Sequence, residues 1–326
     1  MKERIMTIGI QRLAFLALAA ALLLAPQAEA AERKKVFFID SYHEGYEWSD
    51  GIVRGVRSVL GDQVELKIHR MDTKNHPSED YARNAGEETR QAIEAWRPDV
   101  VIAADDNASR HVVMPFYANT DLPVVFCGVN WDASIYGLPT KNVCGMEEVA
   151  LIEPLLRQLK AYAEGDRIGL LFSDTETGRK EAGYIKQLFG VAFESEIYVA
   201  TYADWKEAYK KLQGAVDMLI IDSSSVIADW SDEDALKFVR AETRIPTGCT
   251  LDFMAPYALV GYTRVAEEQG EWAAAAALRI LNGESPESIG VVQNKKGTLY
   301  VNLPIAAKLG IMFPLHVLKN AEVIRN

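Results

Sequence analysis

Two consecutive βα arrays, forming two doubly wound parallel-sheet α/β lobes joined by a three-crossing hinge, are the fold class this sequence predicts. Three observations lead there. Short uninterrupted apolar runs recur (VFFID, DVVIAA, PVVFCGV), amphipathic stretches of helical period separate them, and the alternation restarts near residue 151. Apolar runs without polar alternation mark strands covered on both faces, as in a parallel sheet flanked by helices.

The first array reads as strand 36–40, helix 49–60 with Ile52, Val53, Val56, Val59 and Leu60 on one face, strand 64–72, helix 78–96, strand 99–104, helix 107–117 and strand 123–129. The second reads as helix 151–162, strand 167–172, helix 178–189, strand 196–200, helix 205–212, strand 218–222, helix 233–240 and strand 246–250. Segments 141–147 and 258–264 are short and apolar, and each stands where an array ends. An Ala-rich helix follows at 267–281, whose Ala273, Ala276 and Ala277 permit close packing, then a strand at 298–302 and a helical end. The expected division is residues 31–145 plus about 258–290 in the first lobe and 146–257 plus about 291–326 in the second. Three crossings between the lobes make a hinged pair, and ligands of parallel sheets bind beyond the carboxyl ends of the strands.

Residues 1–30 have a different character. Lys2, Arg4 and Arg12 precede the apolar run 13–26 and the small-residue pattern Ala28-Glu29-Ala30. That run of 14 residues falls short of the roughly 20 needed to span a bilayer, so a signal peptide cleaved near Ala30 fits better than an uncleaved anchor. A mature chain starting near Ala31, on the periplasmic side of the membrane, is the expectation. The full chain of 326 residues carries a net charge of −11; residues 1–30 hold three basic and two acidic side chains, leaving −12 without them. Such a balance opposes binding to phosphate backbones, so no nucleic-acid partner is expected. Cys127, Cys144 and Cys249 each lie in an apolar run, which favours buried free thiols, with a Cys127–Cys144 disulfide as the alternative.

The loop after the first strand, Ser41 to Trp48, is too bulky for a dinucleotide, and no G-x-G-x-x-G, P-loop, H-E-x-x-H or G-x-S-x-G stands anywhere in the chain. The five His are scattered. No enzyme, metal site or cofactor is therefore expected. The strand ends instead supply binding groups: Tyr42, His43, Tyr46 and Trp48; Asp106 and Asn107; Asn130 and Trp131; and, in the second array, Asp174, Thr175, Thr177, Ser223, Ser224 and Asp252. Helix N-termini suit a ligand carboxylate, carboxylates suit an ammonium, and aromatic faces suit a ring or a cation. For Asp106, Asn107, Thr177 and Ser223 taken singly, helix capping is favoured over ligand contact. The aromatic and ionisable density of the first loop is harder to explain by capping.

The opening VFFIDSYHEGYEWSDGIVRGV, the segments PDVVIAADDNAS and LPVVFCGVNWD, and the ending VNLPIAAKLGIMFPLHVLKNAEVI resemble the ABC-transporter substrate-binding family of the type I periplasmic-binding-protein fold. Asn302, Ala306-Ala307, Leu309-Gly310, Pro314 and Ala321 match that family's most specific pattern, and the opening is also similar to extracellular sensor regions built on this module. The first loop departs from the shorter Glu-His-Pro loop of members described as binding aromatic amino acids: His43 is present, between Tyr42 and Glu44. The resemblance implies a monomeric periplasmic protein that closes on a small polar ligand, such as an amino acid or related compound. It would deliver that ligand to an ABC permease or, alternatively, report it to a membrane sensor protein.

Overall fold

The computed structural model describes residues 33–325. The expected signal peptide lies outside the described residues. The first array runs β1 (Lys35–Asp40), α1 (Glu47–Leu60), β2 (Glu65–Arg70), α2 (Glu79–Trp96), β3 (Val100–Ala104), α3 (Asp105–Ala108) with a π-helical continuation (Ser109–Tyr117), β4 (Val124–Asn130) and β5 (Val143–Glu148). The second runs α4 (Ile152–Lys160), β6 (Ile168–Ser173), α5 (Glu176–Phe189), β7 (Phe193–Val199), α6 (Tyr202–Leu212), β8 (Met218–Ile221), α7 (Asp232–Glu242), β9 (Thr247–Cys249) and β10 (Val260–Arg264). The remainder holds α8 (Ala266–Leu281), α9 (Pro286–Ile289), β11 (Val291–Gln293), β12 (Gly297–Asn302), α10 (Leu303–Leu309), α11 (Leu315–Lys319) and β13 (Ala321–Ile324).

Two sheets result, ordered β11-β5-β4-β3-β1-β2 and β13-β12-β10-β9-β8-β6-β7. All pairings are parallel except β10 with β12. This is the expected two-lobe α/β fold. Segment 258–264, expected with the first lobe, instead pairs with β9 and β12 in the second sheet. Residues Val291–Gln293, expected with the second lobe, pair with β5 in the first. Both segments are short and apolar enough for either sheet; distant pairing decides between them. Where a purely helical end was expected, β13 closes the second sheet.

The continuous apolar strands are buried on both faces, as their composition requires. Val36, Phe38, Val100 and Ile102 pack with Ile52 and Val56 of α1 and Ala273 and Ala277 of α8. Their neighbours Phe37, Ile39, Val101 and Ala103 pack on the other face with Ile93 and Val112. The three cysteines are free and buried; burial raises the Cys127 thiol well above its usual range and those of Cys144 and Cys249 to about 12.

Helix α8 reaches the first lobe through a backbone-to-backbone contact with α1. A Cβ on Gly55 would stand 2.3 Å from the Glu267 carbonyl oxygen, and one on Gly270 would stand 2.0 Å from that of Ile52. Only glycine permits that approach. The crossings between lobes are tied to each other. Asn294 Oδ1 accepts from the Val149 amide at 2.7 Å, and the buried Glu268 carboxylate accepts from the amides of Lys295 and Lys296 at 3.0 and 2.8 Å.

Gly270→Ala should force the two helices apart and cost about 1–3 kcal/mol, the usual range for overpacking. Gly183→Ala, on a helix with nothing within 4 Å of the added Cβ, should stabilise by about 0.5–1 kcal/mol. Urea melts of the two variants beside the parent check both signs.

Candidate functional site

Because most strands are parallel, their carboxyl ends converge, and a cavity of about 610 Å³ lies where those of the two sheets meet. From the first lobe come Tyr42, Tyr46 and Trp48 after β1, Lys74 after β2, Asp105 after β3, Asn130 ending β4 and Glu148 ending β5. From the second come Thr250–Phe253 after β9, Thr263 and Arg264 ending β10, and Thr298 and Tyr300 of β12. The N-terminal residues of α8, Ala266 and Glu267, complete the rim.

The first loop is held from below. Buried Asp40 Oδ1 accepts from Ser49 Oγ at 2.8 Å and from the Tyr42 amide at 2.9 Å. Tyr42 and Tyr46 meet edge to face, and the Lys74 ammonium lies 5.1 and 4.8 Å from their ring centres. Trp48 Nε1 donates to Asp105 Oδ1 at 3.0 Å. Asp105 takes the left-handed φ of 70° and is almost wholly buried; its Oδ2 has no protein donor. Gly128 (φ 70°) makes room for it, since a Cβ there would lie 2.9 Å from Asp105 Oδ1.

Glu148 and Arg264 form an ion pair of 2.7 Å between the sheets, with side chains only 8% and 16% exposed. Burial nonetheless wins over the guanidinium and raises the Glu148 pKa. Asp105 is raised well above the carboxylate range, first by burial and then by Glu148. On the second lobe Glu181 is raised to about 7 by burial and by Asp222, and Asp222 is raised by burial; Arg264 opposes both shifts. The partly buried Arg264 guanidinium thus pairs with Glu148 directly and opposes, without overcoming, the effect of burial on Glu181 and Asp222.

Of the residues expected from the sequence, Tyr42, Tyr46, Trp48, Asn130 and Asp252 line this cavity. His43 stands beside them without lining it, its Nδ1 2.9 Å from the Glu44 carbonyl oxygen. Asp106 accepts from Asn130 Nδ2 at 2.6 Å and from Tyr136 Oη at 3.0 Å, and Asn107 donates to Thr73 Oγ1 at 2.8 Å. Trp131 is buried against the second lobe, stacked on Tyr184 with centroids 5.5 Å apart and planes 4° off parallel. Thr175 caps α5, accepting from the Gly178 amide at 3.0 Å; exposed Thr177 lies in that helix's first turn, and Asp174 pairs with Arg179 at 2.7 Å. Ser223 Oγ bonds Ser225 Oγ at 2.7 Å. Ser224 lines a second cavity of about 510 Å³, with Asp229, Trp230, Asp232 and Tyr257. Sequence reasoning missed Glu148 and Arg264, whose signal was a charge at the end of an apolar segment, and Lys74, Glu267 and Tyr300, which carried no local signal.

The raised carboxyls fix a pH dependence. A carboxyl whose pKa is higher folded than unfolded binds its proton more firmly in the native state, so this stabilisation is complete below the ordinary value near 4.5 and lost as pH rises through about 7. Urea melts at pH 5 and pH 7.5 should show greater stability at the lower pH from this group, and Glu181→Gln should narrow the difference.

The profile of the family described as ABC transporter substrate binding protein matches residues 45–324. No curated protein matches the chain. Among solved structures, the ligand-free, open form of CD0873, a substrate binding protein with adhesive properties from Clostridium difficile, is 18% identical with a TM-score of 0.70, covering 90% of this chain and 99% of its own. An ABC domain in complex with L-Trp from Streptococcus pneumonia is 19% identical with a TM-score of 0.56, covering 90% and 100%. An ABC transporter solute binding protein from Bradyrhizobium sp. BTAi1, with bound Bis-Tris, is 13% identical with a TM-score of 0.51, covering 82% and 80%. At these identities the structures speak for the fold, which is the two-lobe type I periplasmic-binding fold. The match over residues 45–324 speaks for the family: this chain belongs to the ABC transporter substrate-binding proteins.

Proposed function

We propose that this protein is a periplasmic solute-binding protein. It captures a small polar molecule between its lobes and delivers it to an ABC permease, acting as a monomer after cleavage of its signal peptide near Ala30. The observation that carries this reading is the cavity itself: both lobes contribute polar and aromatic side chains at the carboxyl ends of their strands, where parallel-sheet proteins bind ligands. Among the described residues no helix is long and apolar enough to cross a membrane. The lobes divide near residues 149, 265 and 294, and a ligand touching both sides stabilises the closed arrangement. Tyr42, Tyr46, Trp48 and Asn130 supply the first wall, and Asp252 the second.

Three measurements test this. N-terminal sequencing of protein from the periplasmic fraction should begin near Ala31; an intact Met1 contradicts the processing. For protein stripped of ligand by unfolding and refolding, a thermal-shift screen of amino acids, amines, nucleosides, sugars and small anions should find a stabilising compound. A hundredfold excess over Kd adds about 2.7 kcal/mol; silence across the screen counts against the binding role. With the compound found, Trp48→Ala should weaken binding by about 1–3 kcal/mol in titration calorimetry. Unchanged affinity would make Trp48 scaffolding.

A further inference from the structure

Given a solute-binding role, the charges around the cavity bear on what kind of solute fits. The basic side chains that line it are already engaged. Arg54 lies 2.6 Å from Glu47 and 2.7 Å from Glu267, Arg264 is paired with Glu148, and Lys74 rests on the rings of Tyr42 and Tyr46. Glu47, Glu148 and Glu267 are the partners of those bases, whereas two further acidic lining groups, Asp105 and Asp252, have no basic partner among the ion pairs of the described residues. Asp105 receives one N–H, from Trp48, and leaves its other oxygen without a donor inside the wall. Asp252, from the opposite lobe, accepts only the neighbouring Phe253 amide among the hydrogen bonds of the described residues, at 2.7 Å, and is exposed to the cleft. A buried carboxylate short of donors is costly, and burial therefore favours the protonated form of Asp105. A cationic ligand supplies both the missing N–H donors and the opposite charge that favours its ionised form. Lys74 already shows that the tyrosine pair accommodates an ammonium, and Trp48, Phe253 and Tyr300 offer more apolar and aromatic surface.

We propose that the cleft selects an organic cation, a primary amine or guanidinium carried on an aromatic or apolar body, with Asp105 and Asp252 receiving its N–H groups from opposite lobes. This rests on the solute-binding reading and narrows it. An anion of the same body would meet only basic groups that already have partners, and an added carboxylate would lie among like charges.

The test uses three probes that share one ring: 2-phenylethylamine, L-phenylalanine and 3-phenylpropionate, titrated calorimetrically into refolded, ligand-free full-length mature protein. The amine should bind about tenfold or more tightly than the acid, the weight of one charge-assisted hydrogen bond, with the zwitterion between them. Acid binding equal to or tighter than the amine overturns the proposal. Asp105→Asn, which keeps the shape, should bring the amine-to-acid ratio towards one. Should that variant fail to fold by circular dichroism, Asp252→Asn, at an exposed position, is read instead, and a ratio unchanged in the folded variant overturns the assignment. If none of the three binds, the thermal-shift screen decides. A cationic hit supports the proposal, a neutral or anionic hit overturns it while leaving solute binding intact, and no hit overturns both.

Discussion

The contact between α1 and α8 is the constraint on which the rest of this architecture depends. At Gly55 and Gly270 the two helix backbones touch, with no side chain between them. That contact draws a helix from late in the chain onto the first lobe, although the strand before it, β10, belongs to the second sheet. The chain must therefore cross at residue 265 and cross back after β11, which gives the hinge its three strands. The same approach sets Glu267 beside Arg54 and puts Gln269 Oε1 2.9 Å from the Gly128 amide. The Gly128 turn in turn leaves the space that Asp105 occupies. Helix packing and cavity chemistry are thus one continuous set of contacts.

The electrostatics of the cleft run against simple stability. Isolated buried ion pairs seldom repay their desolvation, and Glu148–Arg264 is further loaded by three more acidic groups. A protein selected only for stability gains nothing by burying several carboxyls whose charged forms burial opposes. Perturbed groups of this kind concentrate at functional sites. Two of them, Asp105 and Glu148, line the interlobe cavity, which fits a site whose favourable state includes a bound partner for the charge.

Much of this was legible in the sequence, for definite reasons. Uninterrupted apolar strands such as Val100–Ala104 announce burial on both faces, so the two parallel arrays could be read locally. Loops that follow such strands must lie at the carboxyl ends, which is why the order of residues alone assigns Tyr42, Tyr46, Trp48, Asn130 and Asp252 to the cavity they line. What stayed hidden depends on pairing between distant segments. Val260–Arg264 and Val291–Gln293 exchange lobes relative to the expectation because a short apolar segment carries no label for its sheet. Glu148 and Arg264 terminate such segments, so their meeting could not be inferred. Thr175 and Asn107 are alike as polar residues at strand ends, yet the first caps a helix and the second ties α3 to the loop after β2.

The parallel stack of Trp131 on Tyr184 joins a loop of the first lobe to a helix of the second. An indole's emission responds to the rings in contact with it and to the water that replaces them. Any motion that slides one lobe over the other must shear this pair, so the separation of the lobes is written into the protein's own fluorescence. The molecule carries an optical gauge of its hinge that needs no attached dye.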